Sequence, residues 1–128
     1  MRLLLDTHIA LWAVTGSERL PPQAEALILA ADEVLVSTAS LWEIAIKHAL
    51  GRGDMPVSTA QALQAFQDAG YTLLDVCPAH AVQVGSLPPL HKDPFDRLLV
   101  AQALIEPLTL VTADVVVGQY SSAVVNVG

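Results

Sequence analysis

Residues 33–50 read EVLVSTASLWEIAIKHAL, and the order of their two halves sets the fold class. EVLVS (33–37) is short and β-branched, the composition of a buried strand. SLWEIAIKHAL (40–50) carries a helical pattern that Gly51 and Gly53 stop. The same alternation continues outward in both directions. RLLL (2–5) reads as a first strand before a helical THIALWAV that breaks near Gly16, and PPQAEALILAA opens on prolines as a second helix. Downstream, STAQALQAFQDAG is a serine-capped helix ending at Gly70, YTLLDV is a strand and PAHAVQVGSL is a short helix. LTLVT (108–112) and AVVNV (123–127) are the last strands, with ADVVVGQY between them as a turn or short helix. No repeat, low-complexity tract or linker interrupts the pattern. Strands alternating with helices mean parallel βαβ units. The expectation is one domain over residues 1–128, an α/β fold built as a three-layer α/β/α sandwich with a mainly parallel central sheet. In such sheets ligands sit beyond the C-terminal strand ends, near the switch in strand order.

Bulk composition narrows the function. At 128 residues the chain is long enough for one real core. Hydrophobic residues make up 53% and charged ones 15%, and the mean hydropathy of +0.51 is high for a soluble monomer. No apolar run reaches the ~20 residues of a membrane span, so a partner chain is expected to cover part of that surface. The start, MRLLLDTH, is too weakly apolar for a signal peptide, and Cys77 is the only cysteine. Both features point to a reducing compartment, the cytoplasm. A net charge of −7 argues against a generic nucleic-acid binder, which carries a basic face.

The segment HKDPFDRLLVAQA (91–103) carries the first chemistry. Asp93 before Pro94 is a helix start, because aspartate caps an orphan N–H and proline at the first position loses no bond. Asp96 is not accounted for by folding alone. Its neighbours three and seven residues on are Leu99 and Ala103, so its carboxylate borders the face that seeks the core and needs a partner. Three further acids occupy comparable places. Asp6 follows the first strand, Asp114 follows LVTA, and Glu43 lies one helical turn beyond the second strand. Each also has a structural explanation. Asp6 can cap a helix, Glu43 can form a capping box with Ser40 or pair with Lys47, and Asp114 can close a turn. In a parallel sheet all four can converge at one edge. Two unit charges ~5 Å apart repel by roughly 3 kcal/mol at an effective dielectric of about 20, so four converging carboxylates require protons or cations. Oxygen donors without thiolates suit Mg²⁺, or Mn²⁺, rather than Zn²⁺. Such a site cuts phosphodiesters, and its cations let an acidic protein accept a polyanion.

LLLDTHIALW, TASLWEIAIK, HKDPFDRLLVAQA and LVTAD together resemble the PIN-domain ribonucleases, in particular the VapC-like toxins of bacterial toxin–antitoxin pairs. The resemblance runs over essentially the whole chain, and the HxDPFDRxLxAQA block is its most specific piece. It implies four or five strands and metal ligation by Asp6, Glu43, Asp96 and Asp114. It also implies endoribonuclease activity, a homodimer, and an antitoxin that blocks the acidic pocket, often with an arginine. Thr7 and Thr112 flank acids and are candidates to orient a ligand or a metal-bound water. Lys47, Arg52, Lys92 and Arg97, four of the six basic residues, flank the Glu43 and Asp96 segments and suit phosphate contacts, as does His91. His8 is a weaker candidate, and Trp12 and Trp42 read as core or interface residues. Two other classes compete. A receiver-like Mg²⁺-binding signalling domain requires paired N-terminal acids and a late lysine, and no lysine follows Lys92. A purely structural interaction domain would use its acids only as caps.

Overall fold

The computed structural model describes residues 1–53 and 55–128. In chain order the elements are β1 (Arg2–Leu5), α1 (Thr7–Thr15), α2 (Pro22–Ala30), β2 (Glu33–Ser37), α3 (Thr38–Ala49) and α4 (Thr59–Asp68). They continue with β3 (Thr72–Leu74), α5 (Pro78–Val84), α6 (Pro94–Ile105), β4 (Thr109–Thr112), a 3₁₀ turn (Val117–Gln119) and β5 (Val124–Asn126). The five strands form one sheet in the order β3-β2-β1-β4-β5, and every pairing is parallel. This is the α/β/α sandwich that the alternation predicts.

The run RLLL shows why both faces are covered. Successive strand side chains point to opposite faces. Leu3 and Leu5 enter one cluster with Ile9 of α1, Ala24 of α2, Ile44 of α3 and Phe66 of α4. Leu4 enters the other with Leu99, Val100 and Ala103 of α6 and with Leu110 of β4. Leu4 sits in register with Leu35 and Leu110, so the second layer is a continuous apolar stripe across three strands. The two edge strands are shorter than their sequence runs, because each has a neighbour on one side only. YTLLDV pairs over Thr72–Leu74 and AVVNV over Val124–Asn126.

Helix starts are set by side chains that also matter later. Asp6 caps α1 through Ile9 N–H at 2.9 Å. Asp93 caps α6, accepting from Phe95 N–H at 2.8 Å and Asp96 N–H at 3.2 Å. The capping box of Ser40 and Glu43 does not form. Ser37, the last residue of β2, caps α3 from two residues nearer the strand by accepting from Ala39 N–H at 3.0 Å, which places Ser40 inside the helix. At the far end the chain leaves α3 through Gly51 at φ +70°, a conformation that a side chain disfavours.

Candidate active site

Strand order reverses between β1 and β4, because β2 and β3 add on one side of β1 while β4 and β5 add on the other. Asp6 leaves the end of β1 and Asp114 follows the end of β4, so the two acids emerge from adjacent strands at that switch. Glu43 reaches the same place from α3 and Asp96 from the first turn of α6. All four line one cleft of about 460 Å³, together with Asp93, His91, Lys47, His8, Trp12 and Arg19.

Each carboxylate is held by specific donors. Asp6 is buried; its second oxygen accepts from Thr112 Oγ1 at 2.6 Å while the first caps α1. Glu43 is also buried, accepting from Thr7 Oγ1 at 2.6 Å on one oxygen and from Lys47 Nζ on the other. The threonines singled out in the sequence therefore fix one acid each, and Thr7 Oγ1 lies 2.9 Å from Ser40 Oγ as well. Asp114 accepts from Val116 N–H at 2.8 Å and Val117 N–H at 3.3 Å. Its other oxygen lies 3.0 Å from His91 Nε2, which is also 3.4 Å from Asp96 Oδ2. Asp93 N–H donates to His91 Nδ1 at 2.9 Å, so the neutral ring carries its proton on Nε2, facing the two acids.

Charge in the cleft is unbalanced. Burial, followed by the charges of Asp93, Asp6 and Glu43, pushes the Asp96 carboxyl from 3.8 up to about 7. Burial likewise raises Asp6. Burial also acts upward on Asp114, but the His91 ring and the N–H groups of Val117 and Val116 together outweigh it and hold this carboxyl below its ordinary value. The hydrogen bond to Asp114 is the main cause that raises His91. Asp96 is thus a carboxylate short of a counter-charge.

The structure redistributes the basic candidates. Lys47 is in the cleft but is paired to Glu43. Arg97 turns away, donating to Pro88 O at 3.1 Å, Val84 O at 3.2 Å and Tyr120 Oη at 3.2 Å, so it ties α6 to the preceding loop. Arg52 and Lys92 are exposed and do not line the cleft. His91 is more central than its place in the sequence suggests, since it bridges Asp96 and Asp114. Trp12, read as a core or interface residue, and His8 both border the cleft. They lie four residues apart in α1, the helix that Asp6 caps, so they share a face, and their rings are 5.9 Å apart. Arg19 carries no comparable mark in the sequence. Its position depends on how the turn after α1 folds back.

A hard divalent cation fits this donor set. One ligand atom each from His91, Asp96 and Asp114 lie within 4.8 Å of one another. Asp6 and Glu43 stand outside that tight group yet act on Asp96 through their charge. The oxygens of Asp96 and Asp114 are the cation's ready donors, and the His91 ring joins them only once its Nε2 proton has left.

A parallel sheet with acids gathered at its switch point, from both strand ends and helix starts, defines an acid-lined α/β domain. The PIN domain model matches residues 3–120, and the chain belongs to the PIN-domain family. It is 32% identical over 113 residues to Ribonuclease VapC22 of Mycobacterium tuberculosis (strain ATCC 25618 / H37Rv), covering 88% of this chain and 86% of that one. Its fold matches VapBC2 of Rickettsia felis bound to a promoter DNA fragment, with a TM-score of 0.70, 20% identity and 98% of each chain covered. It also matches M. tuberculosis VapC20, a sarcin–ricin loop cleaving toxin, with a TM-score of 0.61, 15% identity, and 91% and 93% of the two chains covered. VapC-like membership replaces the receiver-like alternative.

Proposed function

We propose that this protein is a Mg²⁺- or Mn²⁺-dependent endoribonuclease toxin of the cytoplasm, held in check by a cognate antitoxin. One observation carries the reading: Asp6, Glu43, Asp96 and Asp114 share a cleft in which burial and mutual repulsion push Asp96 up to about 7. A bound divalent ion would supply an activated water and neutralise charge on the scissile phosphate. Asp96, Asp114, Asp6 and Glu43 would hold it, with His91 beside them. Thr112 and Thr7 keep Asp6 and Glu43 oriented, so the donors need little rearrangement on binding. His91 Nε2 holds a proton between Asp96 and Asp114 and takes up part of their charge while no cation is present.

The antitoxin reading draws on relatives such as VapBC2 of R. felis and a toxin–antitoxin complex from Klebsiella pneumoniae. An arginine offered to the cleft suits it physically, because a guanidinium bonds one carboxylate bidentately while its charge relieves the others. Antitoxin and metal then compete for the same four acids. The test is cleavage of single-stranded RNA by the purified chain over a Mn²⁺ series, with and without chelator, beside Asp96→Asn. Metal-dependent cleavage that the variant lacks is expected. Cleavage that survives chelation, or survives the substitution, rules the site out.

A further inference from the structure

A cleft that accepts RNA must compensate the strand's charge beyond the scissile phosphate. Most of its own cations are committed. Lys47 is paired to Glu43 and His91 to Asp114. His8 also has an interaction within the protein. Among the described residues, Arg19 is the one basic side chain lining the cleft that makes no hydrogen bond or ion pair. Its backbone is nevertheless fixed. Arg19 N–H donates to Ser17 Oγ at 3.1 Å, and the turn is closed by Ser17 N–H to Trp12 O at 3.0 Å and Leu20 N–H to Ser17 O at 3.2 Å. Arg19 also lines a second depression of about 190 Å³ walled by Thr15, Pro56 and Val57, and Trp12 is the other residue common to both cavities. Arg19 and Trp12 therefore form the saddle between the acidic cleft and this annex.

We propose that Arg19 is a substrate-positioning residue that holds a phosphate flanking the scissile one as single-stranded RNA crosses this saddle. A guanidinium presents a planar fork of donors that matches a phosphate, and the half-buried Trp12 indole beside it offers a stacking face to a base. An arginine-bearing peptide gains nothing from a second guanidinium at the entrance, whereas a polyanion does. The inference rests on the nuclease reading above.

The test is steady-state cleavage of a fluorogenic single-stranded RNA with Mn²⁺ over a salt series. It compares wild type, Arg19→Ala, Arg19→Lys and Arg2→Ala. Arg2 is paired to Glu33 at the start of β1, so Arg2→Ala makes the same charge change at the opposite, N-terminal end of the strands. Circular dichroism checks folding. Arg19→Ala is expected to raise KM about tenfold with kcat within about twofold, as for loss of a charge-assisted hydrogen bond. It should also flatten the log–log salt dependence of kcat/KM by about 0.7, one phosphate contact on a single strand. Arg19→Lys should keep the slope and recover part of KM, while Arg2→Ala stays at wild type. Equal effects of Arg19→Ala and Arg2→Ala would overturn the assignment. So would wild-type kinetics in Arg19→Ala with a change only in inhibition by antitoxin, which would assign the arginine to the peptide. A wild-type chain that cleaves no RNA removes the nuclease reading and this inference with it. Wild-type cleavage with an indifferent Arg19→Ala removes this inference alone.

Discussion

Asp96 is where folding and function pull against each other. Its folded carboxyl titrates at about 7 against an ordinary 3.8, so between those values the folded chain keeps a proton that the unfolded chain has released. Stability therefore falls as pH rises from about 4 to about 7 and stays lower above that. Asp96→Asn removes the titration. Without metal, the variant is expected to be more stable than wild type at pH 7.5, on the order of 1–3 kcal/mol, and no more stable near pH 4. Urea denaturation at both pH values reads this. Millimolar Mn²⁺ should raise the melting temperature of wild type, because the ion binds the folded state, and leave Asp96→Asn unmoved. A variant less stable than wild type at pH 7.5 would mean that no repulsion is stored there. The division between Asp93 and Asp96 was legible only in part. The Asp-Pro pair announces the cap, and the cap forms. Read from the sequence as a helix start only, Asp93 also lines the cleft and is the second cause that raises Asp96. Residues three apart share a helix face, so a capping carboxylate at 93 cannot leave the side that 96 occupies. Asp93→Ala should accordingly lose about 1 kcal/mol of capping while bringing the Asp96 carboxyl down, which NMR titration of that side chain would follow.

Among the elements, α6 positions Asp96, and α5 holds α6 through a histidine that local sequence does not mark. His80 is buried; its Nδ1 accepts from Cys77 N–H at 3.0 Å and faces the Gln102 amide at 3.3 Å. Its Nε2 lies 2.6 Å from Glu106 Oε2. One ring therefore links the start of α5 to the interior and the end of α6. His80→Ala strands the Cys77 N–H and the Gln102 amide, whose Oε1 already lacks a partner among the described residues. A loss of about 2–4 kcal/mol is expected, read as a lower urea midpoint at unchanged slope. A loss under about 0.5 kcal/mol would show that the layer does not depend on this ring. The strands and helices were legible because Leu3, Leu4 and Leu5 can all be apolar only in a sheet covered on both faces. The start of α3 was not. Ser37, Thr38 and Ser40 all offer hydroxyls, and the end of β2 pairing selects among them. The His80 link spans 26 residues, beyond the reach of any local pattern.

At the scale of the molecule, legibility divides by side-chain length. Short acids at strand ends and in the first turns of helices are placed by the backbone, so topology alone brings the four together. Long basic side chains choose partners by tertiary contact. This is why Arg97 closes a loop and Arg19, unmarked, reaches the cleft. The two tryptophans divide in the same way. Trp12 borders the cleft, while Trp42 on α3 is 62% exposed. Trp42 meets Phe95 edge-on at 5.2 Å and lines an apolar groove of about 290 Å³ with Ala81, Val84, Pro94 and Leu98. Exposed Ile46 lies one helical turn from Trp42 on α3, and exposed Val82 lies on α5. A surface of this kind, on a chain of mean hydropathy +0.51, is what a homodimer interface is built from. A two-fold axis there would set each copy's Trp42 against the other's groove, because a symmetric contact uses one patch on both chains. Trp42→Lys places a hydrated charge at the centre of that patch. The wild-type chain is expected to scatter light as a dimer at micromolar concentration and the variant as a monomer with an unchanged circular dichroism spectrum. A variant that remains dimeric would move the interface to another face. A wild-type chain that stays monomeric at ~100 µM would leave Trp42 to be covered by a different partner.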